Sequence, residues 1–106
     1  MEKIVVLITA PSEEEAANIA YTLVAEKLAA CANIVEGIRS IYSWQGEIHD
    51  EPECLMVVKT SAENFDALEA RVKELHSYEV PEIIALPILK GSTEYLDWVW
   101  ENSRRG

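Results

Sequence analysis

The chain has 106 residues, 49% of them hydrophobic and 26% charged, which suits a single globular domain, residues 1–106, with a modest core and no second domain. Nineteen acidic against nine basic side chains give a formal net charge of -10, a field that repels phosphate backbones and anionic lipid surfaces. Nucleic acid and membrane are therefore disfavoured as partners, and cations are concentrated at the surface. Cys31 and Cys54 form no C-x-x-C pair, which removes a zinc knuckle and a thioredoxin-type motif and reads as two reduced thiols. The first apolar run, Ile4 to Ile8, is too short for a signal peptide or a membrane span, so a cytoplasmic protein is expected.

Ile4 to Ala10 reads as a buried strand closed by Pro11. Ser12-Glu13-Glu14-Glu15 then offers a capping box, with three acids complementing the positive end of the helix that follows. Ala16, Ala20, Leu23, Val24 and Leu28 form one apolar stripe, predicting a helix to about Ala30. Asn33 to Trp44 is extended, with Gly37 as a bulge or bend, and Gln45-Gly46-Glu47 supplies a turn. The returning segment, Ile48 to Thr60, completes a long hairpin, interrupted at His49-Asp50-Glu51-Pro52 and clean from Cys54 onwards. Ser61 is placed to cap a second helix, in which Phe65, Leu68, Val72 and Leu75 recur at helical spacing. Val80 to Ile88 forms a further strand, at an edge because Pro81 and Pro87 interrupt it, and Thr93 to Asn102 forms a C-terminal helix.

This order is that of an α+β, ferredoxin-like βαββαβ sandwich with an additional C-terminal helix. Right-handed crossovers put both long helices on one sheet face. Yet Ile4, Val6 and Ile8 alternate with Val5 and Leu7, and Cys54, Met56 and Val58 with Leu55 and Val57, so the central strands are apolar on both faces. Two helices cover only one of them. Leaving such side chains in water forfeits about 1.5–3 kcal/mol each, which predicts an obligate homo-oligomer, the hairpin reaching a neighbour with Tyr42 and Trp44.

The polar residues gather in HSYEVPEI, His76 to Ile83, at the exit of the second helix, where Pro81 stops helical continuation and a cation is favoured. The alternative is that His76 caps the last carbonyls and Tyr78 packs. No G-x-S-x-G, P-loop, H-E-x-x-H or Rossmann glycine pattern is present, and the reading is a protein without enzymatic activity.

Leu7 to Pro11 (LITAP), Leu28 to Ile34 (LAACANI), Ser40 to Ile48 (SIYSWQGEI), Val58 to Thr60 (VKT), His76 to Ile83 (HSYEVPEI) and Tyr95 to Trp98 (YLDW) together resemble the CutA family, the divalent-cation tolerance proteins. The match spans nearly the whole chain. The resemblance implies a cytoplasmic homotrimer of ferredoxin-like subunits with a PII-like architecture, associated with tolerance to copper and other divalent cations. The chain departs from the family where His-Pro-Tyr becomes His76-Ser77-Tyr78. Some members carry a first-strand cysteine and an additional histidine; those positions are Ile8 and Leu75 here.

For copper or another divalent cation, the expected site is built around His76, with Glu82 of the same loop and Cys31 as further ligands, completed by neighbouring chains. Cys54 reads as core, and His49 beside Asp50, Glu51 and Glu53 as a solvated cluster. No organic cofactor is indicated. The second reading is a PII-like sensor or adaptor whose inter-subunit clefts bind a small molecule or a partner protein. Its polar candidates are Lys59, Tyr78 and Glu82, with Trp44 and Trp98 as aromatic walls. Against this, Lys59 pairs with an acid at a strand end and the tryptophans pack in the interface.

Overall fold

The computed structural model describes residues 2–105. Its elements are β1 (Lys3–Ala10), α1 (Glu13–Ala25), β2 (Cys31–Trp44), β3 (Glu47–Ser61), a short 3-10 turn (Ala62–Asn64), α2 (Phe65–Leu75), β4 (Ile83–Pro87) and α3 (Thr93–Asn102). The strands form one antiparallel sheet in the order β2-β3-β1-β4, the ferredoxin-like arrangement, with β4 at an edge. Among the described residues no helix is long and apolar enough to cross a membrane.

Alternation along the strands decides which residues meet the helices. Ile4, Val6, Ile8 and Ala10 of β1 and Cys54, Met56 and Val58 of β3 pack against Ala16, Ile19 and Leu23 of α1 and Leu68 and Val72 of α2. The other face carries Val5, Leu7, Leu55 and Val57, flanked through the register by Ile84 and Leu86 of β4 and Val35 of β2. On this face Ile84 is 49% and Leu86 50% exposed, whereas Val6 and Met56 opposite are fully buried. One end of it is covered by α3, where the Ser61 and Ser103 hydroxyls meet at 2.9 Å and Tyr95 stands beside Cys31. The apolar band towards β4 remains open within one chain.

Several local expectations need correction. Helix α1 ends at Ala25, not near Ala30, because Lys27 adopts a left-handed conformation (φ 59). Its N–H donates to the Val24 carbonyl and that of Leu28 to the Leu23 carbonyl, the two bonds of a Schellman cap. Leu28 is buried from the loop, while Val24, assigned to the apolar stripe, is exposed. Ser61 does not cap α2: it closes β3, and its buried hydroxyl is engaged with Ser103. Strand β3 runs unbroken through His49 to Pro52, because β1 has ended opposite Cys54 and a strand with a free edge tolerates a missing donor. Strand β4 starts at Ile83 rather than Val80, the preceding loop being held by side-chain bonds described below.

The hairpin overhangs the rest of the sheet. Beyond the register shift between Val35 and Ile38, where Gly37 has φ 71, the pairs from Ile38–Glu53 to Trp44–Glu47 project about 20 Å past the end of β1. Gln45 (φ 51) and Gly46 (φ 82) close the arm with two left-handed residues, the geometry of a two-residue hairpin turn.

Candidate functional site

A cleft of about 630 Å³ opens where the overhanging arm faces the loop between α2 and β4. Ser40, Ile41, Tyr42 and Trp44 form the wall on the arm, and Ser77 to Val80 with Glu82 form the wall on the loop. Thr9 and Glu53 lie between them. The wall on the loop is set by His76, whose side chain is fully buried. Its Nε2–H donates to the Thr9 carbonyl at 2.7 Å, and the Tyr78 N–H donates to Nδ1 at 3.0 Å. A carbonyl only accepts, so the Nε2 atom is the donor of the first bond. The ring packs against that of Tyr78, with centroids 4.8 Å apart. Glu15 of α1 completes the fastening, its Oε2 accepting the Ser77 N–H and hydroxyl at 2.9 and 3.0 Å and lying 3.3 Å from His76 Nδ1.

So held, Tyr78 donates its hydroxyl to Glu53 Oε2 at 2.6 Å, a short charge-assisted bond. Glu53 is 6% exposed, the most deeply placed carboxylate of the cleft. Burial, and then the bond and negative charge of Glu53, push the Tyr78 phenol far above its ordinary value. Tyr42, on the opposite wall, is raised by burial and by the charges of Glu51 and Glu53.

The structure brings Tyr78, Glu82 and Trp44 together in this cleft, with His76 as the support behind it. It does not bring Cys31 there. Cys31 pairs in register with Lys59, next to Val5 of β1, whereas Thr9 lies towards the other end of that strand. Lys59 is bound to the Asn33 side-chain oxygen and the Val57 carbonyl, and Trp98 stacks on Tyr95 of α3, so within one chain neither lines the cleft. Cys54 is buried, its thiol pushed up by burial and then by the charges of Glu36, Glu13 and Glu53. His49 stacks on Tyr42 with Nδ1 3.6 Å from Glu51 on the arm.

Glu53, expected in a solvated cluster with His49, Asp50 and Glu51, is instead the buried partner of Tyr78. Its phase, two residues before Leu55 and four before Val57, puts it on the face of β3 away from the helices, so its burial comes from the α2–β4 loop and local spacing carries no signal of it. The capping box expected from the sequence places Glu15 at the third helical position. The structure keeps half of that box, the Glu15 N–H donating to Ser12 Oγ at 3.1 Å, and turns the carboxylate to Ser77.

As to metal chemistry, no three His, Cys, Asp or Glu side chains converge on one point among the described residues. A metal held by a single chain would thus lack a closed protein site, and the His76 ring has both nitrogens engaged.

Comparison with known proteins matches residues 4–102 to the family described as CutA1 divalent ion tolerance protein. The divalent-cation tolerance protein CutA of Thermus thermophilus is 60% identical over 93% of this chain and 96% of its own length. A solved divalent cation tolerance protein from that organism superposes with a TM-score of 0.94 at 58% identity, over 96% of this chain and 99% of that one. The CutA1 crystal structure from Oryza sativa does so with a TM-score of 0.96 at 43% identity, over 100% and 97% of the two chains. The chain belongs to the CutA1 divalent ion tolerance family.

Proposed function

We propose that this protein is a cytoplasmic homotrimer that binds copper or another divalent cation, with ligands contributed by more than one copy. The observation that carries this reading is the whole-chain match to the divalent ion tolerance family. Two features of the chain support it. The open apolar band of Val5, Leu7, Ile84 and Leu86 calls for cover by another copy, and donors contributed by that copy would add to the carboxylates of one chain. Glu53, Glu79 and Glu82 are the oxygen donors of the cleft, and Cys31 is a soft donor some strand-length away, so a site mixing Cys31 with this loop draws on two copies. His76 serves as a ligand only by giving up one of its two hydrogen bonds; otherwise it positions the loop. The two free cysteines agree with a reducing compartment, and the reading gives the protein no enzymatic activity.

The test is a copper titration of the reduced, metal-free protein against a competing chelator, with mass by light scattering on the same sample. Stoichiometric binding by a trimer, weakened in Glu82→Gln, is expected. A trimer that binds no copper above the chelator background would overturn direct binding, and a monodisperse monomer at micromolar concentration would overturn the assembly.

A further inference from the structure

We infer that Glu15 of α1 is a positioning residue for cation binding: it holds no cation itself and sets, through Ser77, where the α2–β4 loop carries the Glu79 and Glu82 carboxylates. This deepens the divalent-cation reading and rests on it. The loop is anchored at both ends. His76 closes α2, its N–H donating to the Val72 carbonyl at 2.8 Å and its ring to the Thr9 carbonyl at 2.7 Å, and β4 takes up the chain again at Ile83. Within the chain the Glu79 and Glu82 side chains are exposed, so their place follows the loop backbone rather than their own packing.

That backbone is oriented by two consecutive N–H groups. Ser77 N–H donates to Glu15 Oε2 at 2.9 Å, and Tyr78 N–H to His76 Nδ1 at 3.0 Å, so two successive peptide planes are set just before Glu79. The Ser77 hydroxyl adds a second bond to the same Glu15 oxygen at 3.0 Å. Glu15 is a firm reference point. Its own N–H donates to the Ser12 hydroxyl, Ala16 and Ile19 beside it are buried in the core, and its side chain is only 19% exposed. It belongs to the helix layer, and all these bonds are made within one chain, so another copy covering the opposite sheet face leaves them intact. The carboxylate acts here as an acceptor rather than as a charge. Both Ser77 donors are neutral, and the nearest ring atom, His76 Nδ1 at 3.3 Å, already accepts the Tyr78 N–H. With the fastening in place, the loop needs little ordering when a cation binds; without it, that ordering opposes binding.

The experiment compares the reduced, metal-free parent with Glu15→Ala, Glu15→Gln and Glu14→Gln. It measures copper affinity against a competing chelator, mass by light scattering, and amide hydrogen exchange across residues 77–82. Glu15→Ala should weaken copper about tenfold or more and speed exchange in the loop, with the mass unchanged. Glu15→Gln keeps an acceptor oxygen for Ser77, and Glu14→Gln removes the same charge from the neighbouring position; both should stay within about twofold of the parent. Ser77→Ala, which leaves α1 untouched, should weaken copper several-fold, and the loss caused by Glu15→Ala should shrink in that background. Parental affinity in Glu15→Ala would overturn the inference. So would a loss in Glu15→Gln as large as in Glu15→Ala, which would make charge the cause, or full additivity with Ser77→Ala. A parent that binds no copper above the chelator background would instead overturn the divalent-cation reading and this inference with it, whereas copper binding shared equally by the parent and Glu15→Ala overturns this inference alone.

Discussion

Ser77 donates both its backbone N–H and its hydroxyl to a single oxygen of Glu15, at 2.9 and 3.0 Å, fastening the α2–β4 loop to the first turn of α1. Proline, the residue that the CutA resemblance places here, could make neither bond. Ser77→Ala should lower stability by about 1 kcal/mol, the net worth of one such bond at a half-open site. Ser77→Pro loses both donors, offset by up to about 1 kcal/mol from its stiffer unfolded chain, and should also end below the parent. Guanidinium unfolding at fixed protein concentration checks both, and a Ser77→Pro protein more stable than the parent would show that the fastening contributes nothing.

Removal of the Tyr78 hydroxyl leaves the buried Glu53 oxygen without its donor. Tyr78→Phe should therefore cost about 1–3 kcal/mol at neutral pH. A double-mutant cycle with Glu53→Gln should show coupling between the two sites of at least about 0.5 kcal/mol, whereas strict additivity would deny the bond energetic weight.

The same pair sets an alkaline limit. The Tyr78 phenol is raised in the folded protein from an ordinary value of 10.0, so above that pH the unfolded chain loses its proton while the folded chain keeps it. The unfolded state then binds fewer protons, and stability falls as pH rises. The contribution is fully present below pH 10 and declines above it. Stability against pH, measured by chemical unfolding, should fall less steeply above that point in Tyr78→Phe than in the parent; identical slopes would place the alkaline loss elsewhere.

Lys27 occupies the left-handed position after α1 with a full side chain (φ 59). For a residue with a β-carbon that conformation costs about 1–2 kcal/mol, against about 0.5–1 kcal/mol of extra unfolded-state freedom for glycine. Lys27→Gly should thus stabilise the protein by about 0.5 kcal/mol, read as a higher guanidinium midpoint with unchanged slope. A lower midpoint would mean that the lysine side chain contributes more than its backbone costs.

Ile84 and Leu86 lie half exposed on the sheet face opposite α1 and α2. If another copy covers them, Ile84→Asp buries an unpaired charge in that interface. Light scattering should then report a smaller mass than the parent's, or a marked concentration dependence of the thermal midpoint. A parental mass at all concentrations would remove this band from the interface.

The sequence by itself determined the succession of elements, because each rests on a local rule. Strand alternation from Ile4 to Ala10 and from Cys54 to Thr60, the spacing of Phe65, Leu68, Val72 and Leu75, the Ser12 cap and a turn at Gln45-Gly46-Glu47 are all read within a few neighbouring positions, while the structure narrows that turn to Gln45 and Gly46. It also showed that the sheet has two apolar faces, and its family motifs run across the whole chain. Where α1 stops was not legible, since the left-handed Schellman position is filled by lysine rather than glycine. Only the tertiary structure decided which side chains share a site. Glu15 and Ser77, or Glu53 and Tyr78, are joined by the antiparallel register of β1 with β3 and by the packing of α2 against α1, and such distant pairings leave no mark in local spacing. The sheet likewise separated Cys31 from His76: the two lie towards opposite ends of β1, a distance along the strands that no count of intervening residues reveals.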